Sequence, residues 1–187
     1  MQGVDGKRIA ALIGDGFEEA DLFEPRKALE EAGAVVTIVG VDERARTKIR
    51  GKRGLDDGQS VRAEELAPDC TAEDFDALLI PGGTSPDRIR TDGEVQRLVR
   101  EFDAGKKPIF SIGHGVQVLI SSQLVRSRQV TGAHSIADDI RNAGGLYRDQ
   151  PTVGDSNWVS TRGAEDLPQF NRTMLEKLAA SGAAISA

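Results

Sequence analysis

Short β-rich apolar runs bounded by glycine alternate along this chain with amphipathic stretches of helical spacing. A doubly wound α/β domain reads this way: a mainly parallel sheet with helices on both faces. Arg8 to Ile13 is the first buried strand. Phe17 to Ala32 follows, with Ala20, Phe23, Ala28 and Leu29 recurring at helical spacing and Gly33 placed to cap the helix end. Val35 to Val41 is the second strand, and Ala77 to Ile80 is another, ending in Pro81-Gly82-Gly83. Glu94 to Ala104 reads as a helix with Val95, Leu98, Val99 and Phe102 on one side. Pro108 to Ile112 is the next strand, and Val116 to Ser121 opens the helix behind it. A short strand near Gln129 to Thr131, a helix from Ser135 to Ala143, a strand at Trp158 to Thr161 and a helix from Leu167 to Ala180 complete the pattern.

Residues from about Arg44 to Leu66 break the rhythm; charged and glycine-punctuated, they fit a small β-hairpin insertion better than a crossover helix. Arg44, Arg46, Lys48, Arg50, Lys52 and Arg53 form a basic cluster there, with Asp56, Asp57, Glu64 and Glu65 close behind. The cluster reads as a solvated hairpin, with an anion site as the alternative. At 187 residues the chain suits one domain, 1–187, with a core over about 7–180 and a small polar tail, Ser181 to Ala187, expected to fray. A net charge of −6 without a basic stripe argues against a specific nucleic-acid partner. Met1 to Lys7 has no signal-peptide core, and no segment approaches the roughly 18 apolar residues of a membrane span. The lone cysteine, Cys70, cannot form an internal disulfide, which suits a cytoplasmic location. Two histidines, His114 and His134, are too few for a histidine-based metal site, and no cofactor motif is present.

The informative segment is Ile109-Phe110-Ser111-Ile112-Gly113-His114-Gly115-Val116-Gln117, where a buried strand turns within one residue into a helix. Such an elbow presents one residue at the carboxyl end of the sheet, where α/β folds place their sites. The helix start adds backbone N–H groups and partial positive charge, suited to a thiolate or an oxyanion. An enzyme of this design needs a nucleophile on the tip. Here the tip is Gly113, which has none.

Ile112-Gly113-His114-Gly115 resembles the Ile-Cys-His-Gly elbow of the PfpI family of intracellular proteases, within the ThiJ/PfpI superfamily. The likeness runs on through Asp15-Gly16-Phe17-Glu18-Glu19, Glu24-Pro25, Phe75 to Gly83, Gly105-Lys106-Lys107-Pro108, Ser135-Ile136 with Asp138-Asp139, and Asp155 to Arg162 before Asp166-Leu167-Pro168. It implies a flavodoxin-like fold related to the class I glutamine amidotransferases. It places Gly113 at the nucleophile position, His114 beside it, Glu18 and Asp21 as the acids that approach the thiol, and Gly83 with the His114 N–H as the oxyanion hole. Asp87 matches an acid that, in PfpI-type oligomers, reaches the neighbouring subunit's site. Read without the resemblance, Glu18 and Asp21 are acids favouring a helix dipole, Asp87 is a helix cap, and His114 is a residue packed at a helix start.

The resemblance implies a homodimer or hexamer and a small carbonyl compound or peptide as substrate. Losing a hydrolase nucleophile costs about 10⁶-fold in turnover, so cysteine-dependent proteolysis or deglycation at family rates is not expected. The first expectation is therefore a PfpI-like pseudoenzyme that acts by binding, in stress response or chaperoning. Its rivals are a cysteine-independent hydrolase, lyase or glyoxalase using His114 with Glu18 or Asp21, and an ordinary cysteine hydrolase in which Gly113 is introduced rather than natural.

Overall fold

The structure is a computed structural model that describes residues 3–183. In chain order its strands and helices are β1 (Arg8–Leu12), β2 (Phe17–Glu18), α1 (Glu19–Glu31), β3 (Val35–Gly40), β4 (Ile49–Arg53), β5 (Asp56–Val61), β6 (Glu65–Leu66) and β7 (Ala77–Ile80). They continue with α2 (Ser85–Ile89), α3 (Gly93–Ala104), β8 (Ile109–Ile112), α4 (Val116–Ser121) and β9 (Gln129–Val130). The chain ends with α5 (Ala137–Asn142), β10 (Leu146–Tyr147), β11 (Thr152–Asp155), β12 (Trp158–Thr161) and α6 (Leu167–Ala183).

Seven strands form the main sheet in the order β11-β12-β8-β7-β1-β3-β6. Every pair in it is parallel except β11 with β12. Strand residues point alternately to opposite faces, and here both faces are covered. Ile9, Ala11, Ile13, Leu79, Phe110 and Ile112 pack with Leu22 and Leu29 of α1 and Phe170, Met174 and Leu178 of α6. The intervening Ala10, Leu12, Leu78, Ile80 and Ile109 pack with Val95, Leu98, Val99 and Phe102 of α3 and with Val116 and Leu119 of α4. Two-sided burial explains why the central strands read as unbroken apolar runs.

The insertion is a hairpin, β4 against β5, and it adds to β2 to make a separate three-stranded sheet. Two details depart from the sequence reading. The first helix buries Leu22, Pro25 and Leu29 rather than Ala20, Phe23 and Ala28, which stay half-buried. The tail expected to fray from Ser181 is helical through Ala183, because α6 continues beyond Leu178, which is fully buried; residues 184–187 lie outside the described residues. Among the described residues no helix is long and apolar enough to cross a membrane.

Candidate active site

Strand β8 ends at Ile112, and Gly113 takes φ +55°, a conformation that side chains rarely adopt. A short 3-10 turn, Gly113–Gly115, precedes α4, so the elbow takes one turn more than the one-residue transition expected. The Gly113 carbonyl is fixed by the Ala133 N–H at 3.1 Å. The backbone here is a nucleophile elbow in shape, and its tip has no side chain.

Beside the tip stands the carboxyl of Asp21, from the first turn of α1 and only 4% exposed. The Gly82 N–H donates to its Oδ2 at 3.1 Å, which ties the end of β7 to the start of α1. Gly82 has to be glycine for this approach: a Cβ there would stand 2.6 Å from Asp21 Oδ2 and 2.9 Å from the Ile112 carbonyl oxygen. Asp21 Oδ1 is buried with no hydrogen-bond partner among the described residues. Burial pushes the Asp21 carboxyl up to about 7; the Gly82 N–H opposes the rise and the nearby Glu18 charge adds to it.

Glu18 turns elsewhere. Its Oε2 accepts the Gly54 N–H at 2.9 Å, so the tip of the hairpin is held over the start of α1. His114 pairs through Nε2 with Ser135 Oγ at 3.1 Å. The ring is therefore oriented by a hydroxyl of the segment before α5, not by Glu18 or Asp21.

Glu18, Asp21, Gly83, Asp87, Gly113 and His114 all border one cavity of about 730 Å³. Gly83 and His114 meet there, and the His114 backbone nitrogen would lie 3.4 Å from a Cβ on Gly82. Asp87 is exposed on the same chain's rim, in the first turn of α2, and Thr84, not Asp87, occupies that helix's cap position.

Thr84, weighed with Ser111 as a substitute nucleophile, lines the wall, and Gly54, Gln117, Ala133, Arg162, Gly163 and Ala164, to which sequence reasoning assigned no role, complete it. Arg162 closes its own motif, pairing with Asp149 and Asp166. Gln117, four residues after the elbow tip, has a buried Oε1 without a partner among the described residues. Gly54 arrives only because β4 joins β2, a pairing that no local period announces.

Other nucleophiles stand apart. Cys70 borders a different depression, with Arg8 and Phe75, and burial pushes its thiol up to about 11, so little thiolate forms near neutral pH. Ser111 is buried within β8. Thr84 reaches the cavity, but its Oγ1 donates to the Gly16 carbonyl at 3.4 Å. Among the described residues no group of three His, Cys, Asp or Glu side chains is arranged to hold a metal ion.

A doubly wound parallel sheet, an elbow at the carboxyl end of a central strand and an acid facing its tip define the flavodoxin-like, ThiJ/PfpI type of α/β protein. The family model for the DJ-1/PfpI family matches residues 7–177, and the chain belongs to that family. It is 42% identical to "Putative cysteine protease YraA" of Bacillus subtilis (strain 168), over 92% of this chain and 98% of that protein. It is 38% identical to "Protein/nucleic acid deglycase 2" of Escherichia coli (strain K12), over 93% and 99%. A solved two-domain protein of Anabaena variabilis ATCC 29413, containing DJ-1/ThiJ/PfpI-like and ferritin-like domains, superposes with a TM-score of 0.86 at 35% identity, over 92% of this chain and 50% of that one.

Proposed function

We propose that this protein uses the DJ-1/PfpI site as a binding shell for a small carbonyl compound or peptide, without cysteine chemistry. The observation that carries the reading is Gly113 at φ +55° on the elbow tip, in a cavity whose wall contains no thiol. A covalent intermediate needs an activated nucleophile at that position, and neither Cys70 nor Ser111 reaches it. What is left has binding value: His114, the acids Glu18, Asp21 and Asp87, and backbone donors at Gly83 and His114. A role in stress response or chaperoning suits such a shell.

The direct test compares the protein with Gly113→Cys for methylglyoxal consumption and peptide hydrolysis. Turnover is expected only in the cysteine variant, on the order of 10³-fold or more above the unmodified protein. A second reading has its own support. Asp21, itself buried and raised to about 7, has the proton affinity that a general base at neutral pH requires. On that reading the unmodified protein turns over, its rate rises with pH through about 7 as Asp21 ionises, and Asp21→Asn or His114→Ala abolishes it.

Assembly belongs to the same proposal. Asp87 is exposed on the cavity rim, and on this proposal it serves a neighbouring copy's site, so sedimentation at micromolar concentration is expected to show a homodimer or hexamer. A monomer there contradicts it.

A further inference from the structure

Helix α2 borders two cavities. Asp87 lines the one at the elbow, while Arg88 and Ile89 line a second, of about 220 Å³. The second opens beyond β1 and β3, where Ile13-Gly14 and Val41-Asp42 follow the strands. The carboxyl edge of an α/β sheet is where such folds receive ligands.

Its charge is unusual for a chain of net −6. Arg44 and Lys48 from the β3–β4 connection and Arg88 from α2 line it, and all three are exposed. Among the described residues none of the three has a carboxylate within ion-pair distance. The rest of the basic cluster is spent within the hairpin and its surroundings: Arg46 on Glu43 and Asp69, Arg50 on Asp15, Lys52 on Asp57, Arg53 on Glu19. The cavity's two acids are also engaged. Asp15 accepts from the Arg50 N–H at 2.8 Å and from Arg50 Nη1 at 3.0 Å, and Asp42 accepts the Arg44 N–H at 2.9 Å. Three cations thus face one acid, Asp42, that no side chain neutralises. Buried Ile13, Ile49 and Ile89 form an apolar floor beneath them.

We propose that this cavity binds the phosphate group of a small phosphorylated metabolite. Two guanidinium forks and an ammonium match the geometry of a doubly charged oxyanion, and the apolar floor takes a short carbon body. The two ways of reading the basic cluster therefore divide among its members: Arg46, Arg50, Lys52 and Arg53 belong to the hairpin, and Arg44 and Lys48 to the anion site. The inference stands independently of what the elbow does.

The test titrates the intact protein with inorganic phosphate and with glycerol phosphate against sodium chloride at matched ionic strength, following the thermal midpoint and binding heat. Both phosphates are expected to saturate, glycerol phosphate more tightly, and to raise the midpoint by roughly 3–6 °C at ten times the dissociation constant. Lys48→Glu and Arg88→Glu, exposed charge reversals whose folding circular dichroism verifies, are each expected to weaken binding at least tenfold. Arg172→Glu, an exposed reversal on α6, is expected to stay within twofold. No saturable response beyond that of chloride overturns the site, as does equal affinity in all three variants. Inorganic phosphate binding as tightly as glycerol phosphate overturns the organic ligand.

Discussion

A side chain added at Gly113 has room. Its Cβ would stand 3.4 Å from the Arg162 carbonyl oxygen and 3.9 Å from Asp21 Oδ2, so the space beside the acid stays open to a thiol. The obstacle is the backbone. At φ +55° a non-glycine residue costs on the order of 1–3 kcal/mol, and Gly113→Ala is expected to lose that much stability in a denaturant titration. Glycine thus removes the nucleophile and relieves the strain that an elbow residue ordinarily carries. Asp21 carries the opposite burden. Its carboxyl is raised to about 7 in the folded protein, from an ordinary value of 3.8. The folded state therefore keeps a proton that the unfolded chain loses, and stability falls as pH rises from about 4 to about 7. Asp21→Asn keeps an acceptor for the Gly82 N–H without a charge. It is expected to raise the melting temperature at pH 8 and to make little difference at pH 4; an equal shift at both would contradict the raised affinity.

Among the elements, the late strand pair shows what a recognisable stretch of sequence does physically. Thr152 to Thr161 folds back as β11 and β12, and a carboxylate of α3 links to it. Asp103 Oδ1 accepts from Trp158 Nε1 at 2.8 Å and Asn157 Nδ2 at 3.2 Å, and pairs with Arg128 Nη1 at 3.3 Å. The Arg128 guanidinium lies 3.9 Å over the Trp158 ring. Removing that carboxylate orphans the buried Trp158 Nε1 and takes a charge partner from Arg128, while Asn157 Nδ2 keeps the Lys107 carbonyl at 2.9 Å and Arg128 keeps Asp155. Asp103→Ala is therefore expected to cost about 2–4 kcal/mol, read as a lower urea midpoint with the slope unchanged. The hairpin works differently, through backbone donors: Glu18 takes the Gly54 N–H, and Glu19 takes that of Gln59. It fixes one wall of the elbow cavity although it lies far from α1 in sequence.

For the whole molecule, β1, β3, β7, β8 and β12 of the main sheet were legible because burial wrote them as apolar runs, and the edge strands β6 and β11 were not. Ala77–Ile80 and Trp158–Thr161 fall where the sequence places them. Of the two-residue strands, β9 was read near Gln129 to Thr131, whereas β6 and β10 carry no period and were invisible, as was the pairing of β4 with β2. The site divides along the same line. The elbow is local in sequence and could be read, while Glu18 and Asp21 entered the site through the family resemblance. The Ser135 partner of His114 and the hairpin's hold on Glu18 depend on tertiary contacts and could not. All of this turns on whether the site is complete apart from one missing atom group. The measurement that tests it most directly is methylglyoxal consumption by the protein and by Gly113→Cys, side by side at neutral pH. Turnover confined to the cysteine variant is the predicted result. Comparable turnover by the unmodified protein, lost in His114→Ala, would contradict the account and establish a mechanism that needs no thiol.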